Sequence, residues 1–204
     1  MLRLDHVVYA VRDLEDAAAR WRTDHGLDSV AGGRHPRWGT ANRIVPLGED
    51  YVELIAIVDE VAAARSEFGR SLRSAVETGE GWFAVCVATD DLDAVAARLE
   101  AEVEPGERVR PDGEVVRWRR VDPTGREPWL PFFIAWDVPP ALHPGRARAG
   151  HGIRPDALAW VEVGGDAERL RSWLGGEDAP IRPADGPPGV RRVAIATADG
   201  ELVI

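Results

Sequence analysis

The sequence predicts an α+β fold in which repeated βαβββ modules form a cup-shaped mixed sheet, with a third, partial module at the C-terminus. The main observation is an internal repeat, because residues 7–21 align with residues 85–99 without a gap. Each copy contains a short apolar run, an Asp that can cap a helix, and an Ala-rich stretch with one apolar face. A weaker third copy begins at residues 158–163. Extended segments separated by Gly, Pro and Asp follow each copy.

The first copy predicts a strand that ends near residue 11, a helix after Asp13 and three further short strands. These strands are expected at residues 29–31, 40–46 and 51–57, with a hairpin turn at residues 47–50 between the last two. The residues that follow are rich in Ala, Arg and Leu. Residues 60–78 have the length and composition of a connecting helix.

In the second copy two strand-like segments flank a turn-rich segment at residues 122–125, and in the third copy two flank a turn at residues 197–200. These strand-like segments are residues 114–121, 129–136, 190–196 and 201–204. We therefore divide the chain into five parts. They are a first module (1–58), a connecting helix (59–80), a second module (81–137), a loop rich in Pro, Gly and Arg (138–156) and a third, divergent module (157–204).

Such modules have a consequence for function. One four-stranded sheet with one helix leaves its other face uncovered, so two modules are expected to pack together, and their concave face becomes a pocket. The first and last strands of each module are expected to lie side by side. Side chains from the two ends of a module can therefore meet at one site.

The composition excludes several kinds of chemistry. All 25 basic residues are Arg, so there is no Lys for a Schiff base, a pyridoxal phosphate anchor or a phosphate-binding loop. Cys86 is the only Cys, which excludes an intrachain disulfide and a thiolate zinc cluster. The net charge of -10 disfavours nucleic acid and anionic membranes as partners. The single Cys and the lack of an apolar leader segment favour a cytoplasmic protein.

Two residues of the first module form a candidate metal site. His6 lies on the first strand and Glu53 on the last, so the expected topology brings an imidazole and a carboxylate together. This pair is a common ligand set for Zn, Fe, Mn, Ni or Co. The alternative is structural: His6 hydrogen-bonds to a neighbour such as Asp5, and Glu53 pairs with an Arg.

A second group of residues could bind a small molecule. His35, Thr40 and Asn42 offer hydrogen-bond donors and acceptors, and strand alternation places Thr40 and Asn42 on one face. Alternatively, His35 and Thr40 only terminate a loop. The final strands of the second module add aromatic surface suited to an apolar part of a ligand. The aromatic residues assigned to substrate binding there are Trp118, Phe133 and Trp136.

Five segments of the chain resemble a glyoxalase-like domain of the vicinal oxygen chelate (glyoxalase/bleomycin resistance/dioxygenase) superfamily. They are residues 4–14, 35–48, 51–55, 130–136 and 143–144. The resemblance implies a cup of paired βαβββ modules. It also implies that first-strand and fourth-strand residues of each module hold a divalent metal, which binds substrate oxygens and stabilises an enolate or activates dioxygen.

Carried over to this chain, the two metal positions of the first module are His6 and Glu53. The second module departs from the pattern, because the corresponding positions fall at Ala84 and at about Pro131. Two interpretations follow. Either His6, Glu53 and a supplementary group such as His35 or His143 hold a metal with waters, or the metal has been lost and the cup is a plain binding pocket.

The resemblance therefore implies one of two functions. The first is lyase, isomerase or dioxygenase chemistry on a small oxygenated metabolite, with His143 counted among the substrate-binding residues. The second is metal-free binding or sequestration of a small molecule of the antibiotic type. No organic cofactor is expected in either case, and the modules can be paired within one chain or across a homodimer.

Overall fold

The computed structural model describes residues 1–122, 127 and 129–204. The first module begins with strand β1 (Leu2–Ala10) and helix α1 (Leu14–His25). The helix starts where the Asp13 carboxylate accepts two backbone N–H groups, and it ends at Gly26, whose φ of 68° is left-handed. Strands β2 (Val30–His35), β3 (Thr40–Pro46) and β4 (Tyr51–Ile57) complete the module.

The connection to the second module contains two helices instead of the single one expected, α2 (Glu60–Arg65) and α3 (Glu67–Thr78). Ser66 separates them because its backbone is extended. Its hydroxyl then accepts the backbone N–H of Gly69 and caps the start of α3. One short polar residue therefore ends one helix and begins the next.

The second module repeats the order of elements in the first. It consists of β5 (Gly81–Thr89), α4 (Leu92–Leu99), β6 (Glu104–Val109), β7 (Val115–Val121) and β8 (Phe132–Trp136). Strand β6 was not among the predicted strands. Of the turn expected at residues 122–125, residues 123–125 lie outside the described part of the chain. Two single-turn 3-10 helices, Pro140–Leu142 and Pro144–Arg146, follow β8.

The strands of the two modules close into one barrel. Their order around it is β1, β4, β3, β2, β6, β7, β8 and β5. Strand β1 is parallel to β4, as β5 is to β8, so the ends of each module do lie side by side. The α+β class and the repeated modules around a mixed, curled sheet are confirmed.

The two modules meet along two junctions of unequal extent. At the first, β1 and β5 run antiparallel, with His6 opposite Cys86 and Val8 opposite Ala84. These reciprocal pairs show that the modules are related by an approximate two-fold axis. At the second junction β2 and β6 are joined at one residue pair, Arg34 opposite Val109.

The C-terminal residues form a separate four-stranded sheet beside the barrel. Its elements are β9 (Pro155–Gly164), α5 (Ala167–Trp173), β10 (Ile181–Ala184), β11 (Gly189–Thr197) and β12 (Gly200–Val203). The order of elements matches the modules, but the order in the sheet, β10, β9, β11 and β12, does not. In this sheet the first strand of the unit lies between its second and third strands. The unit contributes no strand to the barrel.

Apolar side chains form two clusters on opposite faces of the barrel strands. The outer cluster packs under α1, α4 and the C-terminal unit, and it includes Trp21, Leu54 and Phe133. The inner cluster, which includes Val8 and Phe132, lines the barrel interior. Among the described helices, none is long and apolar enough to cross a membrane.

Candidate functional site

The barrel interior encloses a cavity of about 40 Å³, enough for a group of only a few atoms. Polar and aromatic side chains from seven strands surround it. They are His6, His35, Asn42, Tyr51, Glu53, Arg108, Trp118, Arg120, Phe132 and Trp136, together with Trp38 from the loop after β2 and Phe68 from α3. We call this the interior cavity.

A bulge in β1 positions two neighbouring polar residues at this site. The register between β1 and β5 shifts between Leu4 and His6, which leaves Asp5 without a partner on β5. Asp5 and His6 can therefore hydrogen-bond to each other, although they are adjacent in the strand. Nδ1 of His6 lies 2.6 Å from Oδ1 of Asp5, and both side chains are buried.

Asp5 is held by two further donors. Its Oδ2 accepts hydrogen bonds from Nε1 of Trp136 at 2.8 Å and from Nε2 of His143 at 3.2 Å. His143 is fixed in turn, because its Nδ1 accepts the backbone N–H of Gly145. Burial alone would raise the pKa of Asp5, but the hydrogen bonds from His143 and His6 outweigh it and hold the pKa well below its usual range. Asp5 is thus a buried carboxylate anion that orients two imidazoles.

His6 has one ring nitrogen that Asp5 does not use. Nδ1–H is donated to Asp5, which leaves Nε2 outside that hydrogen bond and 3.8 Å from Oε2 of Glu53. The imidazole is stacked on the ring of Tyr51, with the ring centroids 4.5 Å apart. Glu53 is oriented by Asn42, whose Nδ2 donates to Oε1 at 2.5 Å. A free imidazole nitrogen therefore faces a carboxylate that is also fixed in place.

His35 ends β2 and Thr40 begins β3, and the two residues pair across the turn of this hairpin. Nδ1 of the His35 imidazole lies 3.1 Å from the hydroxyl oxygen of Thr40. Burial lowers the pKa of His35 to about 4, despite the nearby carboxylate of Glu53. At neutral pH this imidazole is uncharged. It forms an edge of the interior cavity beside Trp38 and Trp118.

Arg108, on β6, extends into the cavity from the second module. It is 5 % exposed, and within the described residues its Nε has no hydrogen-bond partner. Burial lowers its pKa, while Tyr51 and Glu53 act in the opposite direction. The sequence-based assignment of site residues did not include Arg108, because the strand that carries it was not predicted.

A second, larger pocket of about 300 Å³ adjoins the interior cavity and opens to the surface. The two share Trp38, Phe68, Arg120 and Phe132. Arg120 forms ion pairs with Glu104 and Asp122, and its guanidinium lies over the ring of Trp38, 4.4 Å from the centroid. This outer pocket could accommodate the part of a ligand that the interior cavity is too small to hold.

A family model described as a glyoxalase-like domain matches residues 4–177. The chain belongs to this glyoxalase-like domain family. The match covers both barrel modules and reaches into the C-terminal unit, and it confirms the resemblance to the vicinal oxygen chelate superfamily. No curated protein sequence matches the chain significantly.

Solved structures share the fold of this glyoxalase-like domain. A hypothetical protein from Staphylococcus aureus aligns with a TM-score of 0.73 and 18 % identity, covering 93 % of this chain and 88 % of that one. A methylmalonyl-CoA epimerase variant from Streptomyces coelicolor, in complex with 2-nitronate-propionyl-CoA, aligns with a TM-score of 0.50 and 22 % identity. That alignment covers 67 % of this chain and 98 % of the epimerase. At these identities the similarity establishes the fold alone.

The glyoxalase-like barrel brings most of the predicted site residues together. Those that line the interior cavity are His6, His35, Asn42, Glu53, Trp118 and Trp136. Thr40 contacts His35 and shares the inner face of β3 with Asn42, as alternation indicated. His143 lies outside the cavity and is connected to it through Asp5, which contacts His6.

The expected position of Phe133 needs correction. Its side chain is fully buried in the outer cluster, under the helices, so it does not face a ligand. Phe132, the preceding residue, lines the cavity instead. Successive residues of a strand point to opposite faces, so a register error of one residue exchanges the two.

The same shift applies to the second-module position that corresponds to Glu53. Val8 pairs with Glu53 in the first module, and its two-fold equivalent Cys86 pairs with Phe132, so the position is Phe132 and not Pro131. The position equivalent to His6 is Ala84, as the repeat indicated. Neither side chain has a donor atom for a metal.

The remaining donors do not complete the metal site that the glyoxalase-like family implies. Atoms of Asp5, His6 and Cys86 lie within 4.8 Å of one another, but Asp5 already accepts three hydrogen bonds, one of them from His6. Burial raises the pKa of the Cys86 thiol well above its usual value, which disfavours a thiolate. The positive charge of Arg108 also acts on Glu53. His6 and Glu53 remain as two ligands, and this donor set does not fit a metal held by four protein groups.

Proposed function

We propose that the interior cavity is a metal-independent active site in which His6 removes a proton from a small oxygenated metabolite. The reaction class is that of an isomerase or lyase acting at a carbon next to a carbonyl group. The observation that carries this proposal is the 2.6 Å contact between Nδ1 of His6 and the buried carboxylate of Asp5.

This contact prepares His6 to act as a general base. Because Asp5 fixes the proton on Nδ1, the lone pair of Nε2 is directed into the cavity. When Nε2 accepts a proton, the imidazolium lies between the carboxylates of Asp5 and Glu53, which stabilise its charge. Stacking on Tyr51 and the Asn42 hydrogen bond to Glu53 keep these groups in position.

The dimensions of the site limit the substrate. The reacting carbon and its oxygen must fit the interior cavity of about 40 Å³, while the rest of the molecule occupies the outer pocket of about 300 Å³. Trp38 and Phe68 lie between the two spaces and provide apolar surface. A metabolite with a small oxygenated end and a compact second part meets these conditions.

A second candidate function is binding or sequestration without catalysis. The observation in its favour is that Ala84 and Phe132 occupy the positions where the second module would supply metal ligands. An apolar wall there suits a bound ligand as well as it suits a substrate. The two candidates differ in whether a proton is exchanged.

Proton exchange with solvent tests the proposal. Protein treated with EDTA is incubated in D₂O with pyruvate, 2-oxobutyrate, acetoacetate and dihydroxyacetone, and loss of the α-proton signal is followed by NMR. We expect exchange of at least one compound by the wild-type protein and its loss in His6→Asn. His25→Asn, at the end of α1 and away from the cavity, is the matched control. Exchange that needs an added divalent metal, or that persists in His6→Asn, would contradict the proposal. Binding without exchange would support sequestration.

A further inference from the structure

We infer that Arg108 is the anchor for a substrate carboxylate, so that the ligand of the interior cavity is a small oxo- or hydroxy-carboxylate. The inference rests on the proposed function for the identity of the site and adds the class of substrate. It is carried by a buried guanidinium that lacks a counterion in contact.

The surroundings of Arg108 differ from those of the other buried arginine at the site. Arg120 is 7 % exposed and forms ion pairs with Glu104 and Asp122. Arg108 is 5 % exposed, and within the described residues no carboxylate lies within 4.0 Å of its nitrogens. The Nε of each arginine lacks a hydrogen-bond partner there, so the two differ in their ion pairs. A buried charge is normally paired, because water is no longer available to solvate it.

Glu53 is the carboxylate that lines the cavity, but none of its oxygens lies within 4.0 Å of a nitrogen of Arg108. Its Oε1 accepts the Asn42 amide, and its Oε2 faces Nε2 of His6. It influences Arg108 only over a longer distance. The guanidinium therefore retains N–H donors for a group that enters the cavity.

The backbone of β2 makes room for this side chain. A Cβ added at Gly33 would lie 2.4 Å from the backbone oxygen of Val109, 2.6 Å from Cγ and 2.9 Å from Cδ of Arg108. Real Cβ atoms do not approach other atoms so closely, so glycine at this position admits both the backbone of β6 and the stem of Arg108. The neighbouring Gly32 does the same for Asn42, whose Oδ1 would lie 2.1 Å from an added Cβ. Arg108 and Asn42 therefore each approach β2 at a glycine, where the absence of a side chain leaves space for them.

The shape of the cavity selects a carboxylate among anions. A planar guanidinium can bind the two oxygens of a carboxylate with two parallel hydrogen bonds. A phosphate is bulkier and more highly charged, and it would bring more negative charge close to Glu53 in a cavity of about 40 Å³. Because Arg108 and His6 line the same small cavity, a carboxylate bound to Arg108 keeps the carbon next to the substrate's carbonyl group, which carries the acidic proton, on the side of His6.

Equilibrium binding tests this inference separately from catalysis. Pyruvate is titrated into the full-length protein at constant ionic strength and followed by tryptophan fluorescence, with butane-2,3-dione as the uncharged analogue and inorganic phosphate as the competing anion. We expect saturable binding of pyruvate, and binding of the other two at least tenfold weaker. Arg108→Met should weaken pyruvate binding at least tenfold without lowering the Tm of the unliganded protein, since the variant removes an unpaired buried charge.

Three variants make the result decisive. Arg108→Lys keeps the charge but loses the fork geometry, so intermediate affinity is expected. Arg117→Met removes an exposed arginine from the neighbouring strand and should bind as wild type does. In His6→Asn, pyruvate binding is measured beside proton exchange, so that a failure of catalysis is distinguished from a failure of binding. The inference is overturned if pyruvate does not bind, if Arg108→Met binds it with wild-type affinity, or if phosphate binds more tightly.

Discussion

The amide of Asn42 and the carboxylate of Glu53 are joined by a hydrogen bond inside the barrel, from Nδ2 to Oε1 at 2.5 Å. This bond depends on the absence of a side chain at position 32. A Cβ there would lie 2.1 Å from Oδ1 of Asn42, on the side of the amide away from Glu53. The orientation of the Glu53 carboxylate on β4 therefore depends on the glycine at position 32 on β2.

Gly32→Ala should lower stability by about 1–3 kcal/mol, because a buried amide must move to admit a methyl group. Gly81→Ala is the matched control, since an added Cβ at that strand position meets nothing within 4 Å. Chemical denaturation of both variants measures the difference. Equal stability of the two would show that Asn42 can move without cost.

Asp50→Asn should reveal a pH-dependent contribution to stability. Burial raises the pKa of Asp50 to about 7, although its carboxylate accepts the backbone N–H of Leu158. The folded protein therefore holds a proton that the unfolded chain releases near pH 4, and the associated stability is lost as the pH rises through 7. We expect the wild type and Asp50→Asn to be similarly stable near pH 3, below both pKa values of this carboxyl group. The variant should become the more stable protein as the pH rises from 4 to 7, by on the order of 4 kcal/mol at pH 8.5. A difference that does not change with pH would refute this.

Asp5→Asn should reverse the tautomer of His6. In the wild type we expect His6 to be protonated at Nδ1 and His143 at Nε2, because both donate to Asp5. An asparagine oxygen is best placed at the Oδ2 position, where Trp136 and His143 both donate. Its amide then faces His6, which must accept at Nδ1 and carry its proton on Nε2. Long-range ¹H–¹⁵N correlation spectra report both tautomers, and the His143 signals serve as the internal control.

Ala84→His combined with Phe132→Glu should create a metal site. These positions are the two-fold equivalents of His6 and Glu53, so the double variant supplies the missing half of a four-ligand set. We expect Zn²⁺ to stabilise it by about 2.7 kcal/mol at a hundredfold excess over the dissociation constant. The wild type and the single variant Ala84→His should show no such gain. Stabilisation of the wild type by the same amount would mean that His6 and Glu53 suffice.

Much of the barrel could be predicted because it is encoded in local patterns that occur twice. The repeat at a fixed offset established the equivalence of His6 with Ala84, and the β1–β5 register agrees with it. The pairing of the first and last strands then brought Glu53 close to His6. Alternation along β3 was also sufficient to place Asn42 on the inner face.

The features that were not predicted depend on tertiary pairing. Strand β6 contains Pro105 and Gly106, which are unfavourable in strands, and it is held by antiparallel pairing with β7. The start of β8 could not be read from a continuous apolar run, so Phe133 was expected at the substrate-binding site, where the structure places Phe132. The bulge at Asp5 breaks the alternation that a sequence pattern assumes. Each of these features depends on how a strand pairs with its neighbours.

The two junctions of the barrel are held by unequal amounts of backbone pairing. The two modules are joined along the length of β1 and β5 on one side, but at the single pair Arg34 and Val109 on the other. Parting the barrel at β2 and β6 therefore breaks fewer backbone hydrogen bonds than parting it at β1 and β5. His35 follows Arg34 in sequence, and Arg108 precedes Val109. The junction with fewer backbone hydrogen bonds is therefore next to Arg108, the proposed recognition group. Backbone pairing therefore joins the two modules along one whole junction and at a single residue pair on the other.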